Sequence, residues 1–332
     1  MKLTRVIKLR MQGDDVIFLQ TKLKEHGFFN ERIDGNFGQN TLVAVGNFQK
    51  AAGLKVDGVV GSLTWNKLQH YGRPVESSVL VTPKVLDIPF TVSYFGEDGL
   101  KIYDCTLSDD EYYKQSTSKD TIWLHHTAGG SRPDWTIGGW EKDFQKDSKG
   151  NAILDSEGNP KPLKVGTSYV IGRRSSSTGE EIWDGKILRA FEDKYWAYHL
   201  GINKDSLSLN SNSIGIEICN YGPLTIGKDG KFYNYVNKPI DESEVAILDK
   251  PFRGYTYWEK YTDAQLESTR KLILYLSNKW GIEISKGIYN TDWFEYNDGW
   301  FSNGGLRSHT QVRKDKFDIF PQLEMIQMLN SL

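Results

Sequence analysis

Apolar residues recur with a helical period in three places near the start of the chain. Val16, Leu19, Gln20 and Leu23 are three, one and three residues apart, and Gly27 follows where such a helix would stop. Leu42, Val45 and the Phe48-Gln49 pair form a second stripe, and Trp65 with Leu68 a third. Between the stripes, Ile33-Asp34-Gly35-Asn36-Phe37-Gly38-Gln39-Asn40-Thr41 recurs 23 residues later as Val56-Asp57-Gly58-Val59-Val60-Gly61-Ser62-Leu63-Thr64. Each Asp-Gly supplies a turn with positive φ, and the polar residues after it can cap the next helix. The pattern predicts a three-helix bundle over residues 1–72.

Residues 73–95 carry Pro74, Pro83 and Pro89 without a helical period and read as a linker. From residue 96 to 332 the texture changes to mixed α/β. Apolar runs at Thr121-Ile122-Trp123-Leu124-His125-His126, Ser168-Tyr169-Val170-Ile171 and Ile214-Gly215-Ile216-Glu217-Ile218 predict strands. One long helix is expected from an N-cap at Thr262, with Gln265 in the capping-box position, to Gly281 just past its end. Residues 146–163 and 222–260 are rich in Lys, Asp, Gly and Asn and lack either period, so they are expected as surface insertions. The fold class expected is α/β: a mixed central sheet flanked by helices, preceded by a small helical bundle.

Composition narrows the functional classes. At 332 residues the chain is long enough for two units and needs no disulfide staple. The two cysteines, Cys105 and Cys219, form no metal-binding CxxC. The net charge of −2 argues against nucleic acid or membrane as a partner through bulk electrostatics. Charge is uneven, however: residues 1–74 hold 11 Lys or Arg against 6 Asp or Glu, which leaves −7 for the remainder. No apolar run reaches ~18 residues, and the first residues lack the apolar core of a signal peptide, so synthesis in the cytoplasm is expected.

Four of the six histidines, His125, His126, His199 and His309, lie in the second part. His125 and His126 end a strand, where neighbouring side chains point to opposite faces, so only one can join a given metal site. In Ser308-His309-Thr310-Gln311-Val312-Arg313-Lys314-Asp315-Lys316-Phe317-Asp318 a histidine precedes an aspartate by nine residues, with a lysine two before it. Two imidazoles and one carboxylate would leave zinc a fourth position for water. Glu217 shares a strand face with Gly215 and Cys219, opposite Ile214, Ile216 and Ile218, and a carboxylate there is costly to bury without a role or partner.

These segments, with Gly166-Thr167-Ser168-Tyr169, Trp196-Ala197-Tyr198-His199 and Asn212-Ser213-Ile214-Gly215-Ile216-Glu217, occur in a fixed order. In that order, residues 115–325 resemble the type 2 N-acetylmuramoyl-L-alanine amidases, whose fold is shared with peptidoglycan-recognition proteins. Residues 8–70, with their paired Asp-Gly turns, resemble the small peptidoglycan-binding domain of cell-wall hydrolases. The resemblance implies one zinc ion per chain held by His125, His309 and Asp318, with Asp315 as a competing ligand and the Lys-x-Asp pattern favouring Asp318. It further implies Glu217 as general base, Lys316 as oxyanion donor, and Trp196, His199, Thr127 and Asn212 on the substrate side. Ser168 and Thr167 stand where many relatives carry His or Tyr, so no catalytic tyrosine is assigned.

The partner implied is bacterial peptidoglycan, and the bond that between N-acetylmuramic acid and L-alanine of the stem peptide. The resemblance points to a phage endolysin or virion lysin that reaches the wall after release or delivery. A non-catalytic recognition protein and a zinc endopeptidase are the alternatives. The aromatic residues Tyr233, Tyr235, Phe252, Tyr255, Tyr257 and Trp258 suggest that the second insertion borders the substrate groove. Oligomeric state is left open.

Overall fold

A computed structural model describes residues 5–52, 54, 56–71, 90–95, 99–202, 206–284, 293–297 and 304–332. Contacts divide the chain into two units, Met1–Leu86 and Asp87–Leu332. Residues 73–89, most of the expected linker, lie outside the described residues. Among the described residues no helix is long and apolar enough to cross a membrane.

In the first unit, helices α1 (Asp14–Glu25), α2 (Gln39–Ala51) and α3 (Ser62–His70) enclose a core of Val16, Leu19, Leu23, Val45, Phe48, Trp65 and Leu68. The sequence repeat is a repeat of hydrogen bonds. Gln20, buried at the middle of α1, donates to Asp34 Oδ1 (2.8 Å) and the Asn36 carbonyl (3.0 Å), and accepts from the Gly35 amide (2.9 Å). Gln49 on α2 does the same to Asp57 (2.8 Å), the Val59 carbonyl (3.0 Å) and the Gly58 amide (2.9 Å). Each glutamine thus satisfies the buried polar groups of one Asp-Gly turn and fixes the entry to the next helix. Gly58 has φ 68°, and a Cβ there would approach Leu42 Cδ1 to 2.3 Å, so the turn admits only glycine.

The second unit is built on strands β1 (Thr91–Phe95), β2 (Leu100–Asp104), β3 (Thr121–His126), β4 (Tyr169–Ile171), β5 (Ile187–Arg189) and β6 (Ser213–Ile218). Strands β7 (Thr225–Ile226), β8 (Phe232–Tyr233), β9 (Pro239–Ile240), β10 (Val245–Phe252) and β11 (Tyr255–Glu259) form two small sheets, and β12 (Gly305–Ser308) returns to the main one. The seven-stranded order is β1-β2-β5-β4-β6-β3-β12. Pairing is parallel for β4/β6, β6/β3, β3/β12 and β2/β5 and antiparallel for β1/β2 and β4/β5, so the sheet is mixed. Residues 91–95, expected as the end of the linker, form its edge strand; five residues are too few for a period to stand out beside the preceding prolines.

The helices of this unit are α4 (Pro133–Trp140), α5 (Ser206–Ser211), α6 (Asp263–Trp280), α7 (His309–Val312) and α8 (Leu323–Leu329). The capping box at Thr262 and the left-handed Gly281 (φ 67°) bound α6 as the sequence predicts. One sheet face packs Ile122, Leu124, Ile214, Ile216 and Ile218 against Leu266, Leu272, Ile273 and Leu276 of α6 and Met325 of α8. Each such side chain contributes about 1.5–3 kcal/mol on burial. A one-residue slip of β6 would exchange the three isoleucines for Gly215, Glu217 and Cys219, so the core itself locks the face on which Glu217 emerges.

The second insertion differs from the expected surface loop. Trp258 is fully buried, and Arg173 reaches from beyond β4 to Glu244 (2.7 Å), to Glu259 (3.6 Å) and to the Lys260 carbonyl (2.9 Å). Strands β7, β8 and β9 have two residues each, too short to carry a readable alternation, and the ion pairs at Glu244 and Glu259 come from Arg173, outside the segment. The first insertion closes through bridges Phe144↔Pro162 and Leu154↔Pro160 around two Asp-Ser-x-Gly-Asn turns, at Asp147 and Asp155.

Replacing Gln49 by leucine preserves volume but orphans the Gly58 amide, at a cost of about 1–3 kcal/mol. Calorimetry of the whole chain should show the transition of the first unit lowered while that of the second is unchanged.

Candidate metal centre and catalytic cavity

Parallel pairing aligns the C-terminal ends of β6, β3 and β12. His125 is directly opposite Glu217 in the register, and Ser308, opposite Leu124, is the last residue before His309. The chain turns there from strand into α7, where the Ser308 amide donates to Gln311 Oε1 at 2.9 Å. Asp318 returns to the same place because the Thr310 amide and hydroxyl both donate to its carbonyl at 2.9 Å.

Three ligand atoms converge as a result. His125 Nδ1 lies 3.0 Å from His309 Nδ1, while Asp318 Oδ2 is 2.9 Å from His309 Nδ1 and 3.5 Å from His125 Nδ1. All three residues are buried. His309 Nε2 donates to the Leu200 carbonyl at 2.9 Å, so in the neutral ring Nδ1 carries the lone pair. Burial, and then His309, push the His125 imidazole down to about 4, so near pH 7 His125 is neutral. A tetrahedral zinc with bonds of ~2.0–2.1 Å separates its ligand atoms by roughly 3.3 Å. The separations and the donor chemistry fit a zinc-sized cation.

His126 points the other way. Its Nδ1 meets the Tyr261 hydroxyl at 3.1 Å, and its ring packs beside Phe317 and Phe320. Asp315 is exposed and engaged by Arg313 through two contacts of 3.0 and 2.5 Å, which takes it out of the cluster.

The cluster forms the floor of a cavity of about 400 Å³ that Glu217 and Lys316 also line. Burial, then the charge of Asp318, raises the Glu217 carboxyl well above its ordinary value, with Lys316 opposing. Its Oε2 is buried without a hydrogen-bond partner. For Asp318, burial alone would raise the carboxyl, but the His309 and His125 rings outweigh it and hold it well below the usual carboxylate range. The neighbouring carboxylates are therefore pushed apart, one favouring the charged and the other the protonated form.

Residues 115–316, more than half of the chain, match the family described as N-acetylmuramoyl-L-alanine amidase. The chain belongs to this family. Residues 12–68 match a family of peptidoglycan-binding domains. A spore cortex-lytic enzyme of Halalkalibacterium halodurans is 46% identical over 65 residues, covering 20% of this chain and 20% of that protein. An N-acetylmuramoyl-L-alanine amidase of Mycobacterium tuberculosis is 40% identical over 58 residues, 18% of this chain and 14% of its own. Such matches span only a fifth or so of the relatives' length. A solved N-acetylmuramoyl-L-alanine amidase from Clostridium intestinale aligns with a TM-score of 0.35 and 13% identity, over 69% of this chain and 95% of that one.

The residues expected on the substrate side of this amidase-family unit divide. Thr127 and His199 line the cavity. Trp196 does not: it is 4% exposed and stacked on Tyr113 at 4.0 Å. Asn212 precedes β6 and so stands at the opposite end of the strand from Glu217. Motif order along the chain carries no information about the end of a strand at which Asn212 stands, nor about the packing of Trp196 on Tyr113. His199 has both ring nitrogens in internal contacts, with His125 Nε2 and Ser213 Oγ, each at 3.0 Å.

From the second insertion, Tyr235 donates its hydroxyl to the Ala128 carbonyl at 2.6 Å, while its ring is exposed beside Tyr221. Ala128 lines the cavity, so one aromatic residue of this insertion reaches its rim. Sequence reasoning missed Asn210, whose Oδ1 accepts from the His199 and Leu200 amides at 2.8 and 3.1 Å. Nothing in a lone asparagine marks such a task.

Proposed function

We propose that the chain hydrolyses peptidoglycan at the amide joining N-acetylmuramic acid to L-alanine, with zinc held by His125, His309 and Asp318. The observation that carries this reading is the convergence of two imidazole nitrogens and a carboxylate oxygen in the lining of a cavity that also holds Glu217 and Lys316. Bound there, zinc would supply Lewis acidity toward water and the scissile carbonyl.

Glu217 serves as the proton carrier. Its carboxylate accepts a proton from the attacking water as the new C–O bond forms, and returns it to the leaving nitrogen as the C–N bond breaks. A dication among the three ligands opposes the effects of burial and of Asp318, and so favours the ionised form this step requires. Lys316, lining the same cavity, donates to the carbonyl oxygen as negative charge develops. The exposed Tyr235 ring offers a flat apolar face at the rim, suited to a sugar ring next to the scissile bond.

The first unit acts in this reading as a wall tether, raising the local concentration of the second unit on an insoluble polymer without changing the chemical step. Residues 87–332 alone should keep activity on soluble muropeptides and lose efficiency on intact walls. Equal activity of both forms on whole sacculi would remove the tether.

Purified protein should bind about one zinc per chain. His125→Ala, His309→Ala and Asp318→Ala should each lose it, whereas His126→Ala and Asp315→Ala should keep it. Loss of zinc in Asp315→Ala with retention in Asp318→Ala would overturn the ligand set.

Glu217→Gln and Lys316→Ala should retain zinc and wall binding while turnover falls, by ~10² to 10⁴-fold for the first and ~10² to 10³-fold for the second. Mass spectrometry of digested walls identifies the bond, since only this amidase reaction frees intact stem peptides with an L-alanine amine. Cuts within the stem would indicate an endopeptidase, and binding without any cut a recognition protein.

A further inference from the structure

His199 is aligned with neither the metal cluster nor a free hydrogen-bonding position in the cavity, and its two nitrogens form part of a directed chain. Ser213 Oγ lies 2.6 Å from the Leu209 carbonyl, which can only accept, so the hydroxyl proton points there. The hydroxyl oxygen therefore accepts from His199 Nε2 at 3.0 Å. With its proton on Nε2, the neutral His199 ring has a bare Nδ1, which accepts from His125 Nε2 at 3.0 Å. His125 is then left with its lone pair on Nδ1, facing His309 Nδ1 and Asp318. A carbonyl four residues from Ser213 thus sets the tautomer of His125, as the Leu200 carbonyl does for His309.

The seat of the His199 ring is built for it. Gly215, on the same face of β6 as Glu217, leaves the ring space; a Cβ there would come within 3.2 Å of His199 Nδ1 and 2.6 Å of Thr167 Cγ2. Asn210, fully buried, holds the amides of both His199 and Leu200 on one oxygen and donates to the Ser206 carbonyl at 2.5 Å. One side chain thereby fixes the backbone that supplies the outer partners of both histidines.

We propose that His199, together with Ser213, is a positioning residue that holds His125 in the Nε2–H tautomer and aims its Nδ1 lone pair at His309 and Asp318. The proposal rests on the reading of His125, His309 and Asp318 as metal ligands. His199 does not bind metal and makes no substrate contact through its ring nitrogens. The partners outside a metal-binding imidazole typically govern affinity by about 10–100-fold.

The test uses the full chain and two readouts independent of turnover. Zinc affinity is measured by competition with a chromophoric chelator, and the tautomer of each ring by long-range ¹H–¹⁵N correlation of the metal-free protein, which has only six histidines. His199→Phe keeps a ring in the seat and removes both hydrogen bonds; it should weaken zinc by about 10–100-fold and mix the two tautomers of His125. His199→Asn, which can return an acceptor near the Nδ1 position, should recover part of the affinity, and Ser213→Ala should shift the tautomer with the ring seat intact.

Wild-type affinity and an unchanged His125 tautomer in both His199→Phe and Ser213→Ala would overturn the proposal while leaving the ligand set standing, provided His125→Ala still loses zinc. If the wild-type chain binds no zinc, the ligand reading fails and this proposal with it. Should His199→Phe fold poorly, Ser213→Ala decides, since a tautomer left unmixed by loss of the hydroxyl contradicts the directed chain.

Discussion

Two imidazole nitrogens face one another at 3.0 Å, with a carboxylate oxygen 2.9 Å from one of them. Burial removes the water that would otherwise satisfy these polar atoms, so they must satisfy one another. The second unit must therefore hold three side chains rigidly enough to maintain an arrangement they would not adopt alone. The means are local and identifiable: the strand-to-helix turn at Ser308, the clamp of Thr310 on the Asp318 carbonyl, the Leu200 carbonyl beside His309 and, behind His125, the contacts of His199 with Ser213. In the proposed reading, a cation bound among these three side chains would couple metal binding to local order.

The same constraint explains why the sheet matters to the chemistry. Side-chain period two allows β3 to give His125 to one face and His126 to the other, and β6 to give three isoleucines to the core and Glu217 to the cavity. The core thus specifies catalytic geometry by forbidding a register slip. A mutation deep among Ile214, Ile216 and Ile218 would loosen the position of Glu217 without touching the cavity.

What the sequence made legible follows from the range of the interactions involved. The strand ending in His125-His126, the Thr262 capping box and the paired Asp-Gly turns are governed by contacts a few residues apart, and their boundaries agree with the structure to within a residue or two. The likeness of the histidine, glutamate and aspartate segments to a known family supplied which of them to bring together. The strands of residues 222–260 pair with one another, but what ties the segment to the rest of the unit, Arg173 on Glu244 and Phe320 stacked on Trp258, lies far along the chain. Trp196 and Asn212 do not line the cavity, because proximity to a motif fixes neither the end of a strand at which Asn212 stands nor the stacking of Trp196 on Tyr113.

The least legible layer is the one outside the ligands, and it is also the most concentrated in sequence. Residues 199–217 supply the His199 ring, the Leu200 carbonyl, the Asn210 clamp, the Ser213 relay and Glu217. A single segment therefore supports both histidines and carries Glu217, the group proposed to move the proton. Its internal order is set by single side-chain hydrogen bonds to ring nitrogens, backbone amides and carbonyls, which recur with no period and leave no pattern to read. Displacing this segment would disturb ligand orientation and Glu217 together, so effects of substitutions within it on metal affinity and on turnover are not expected to be additive.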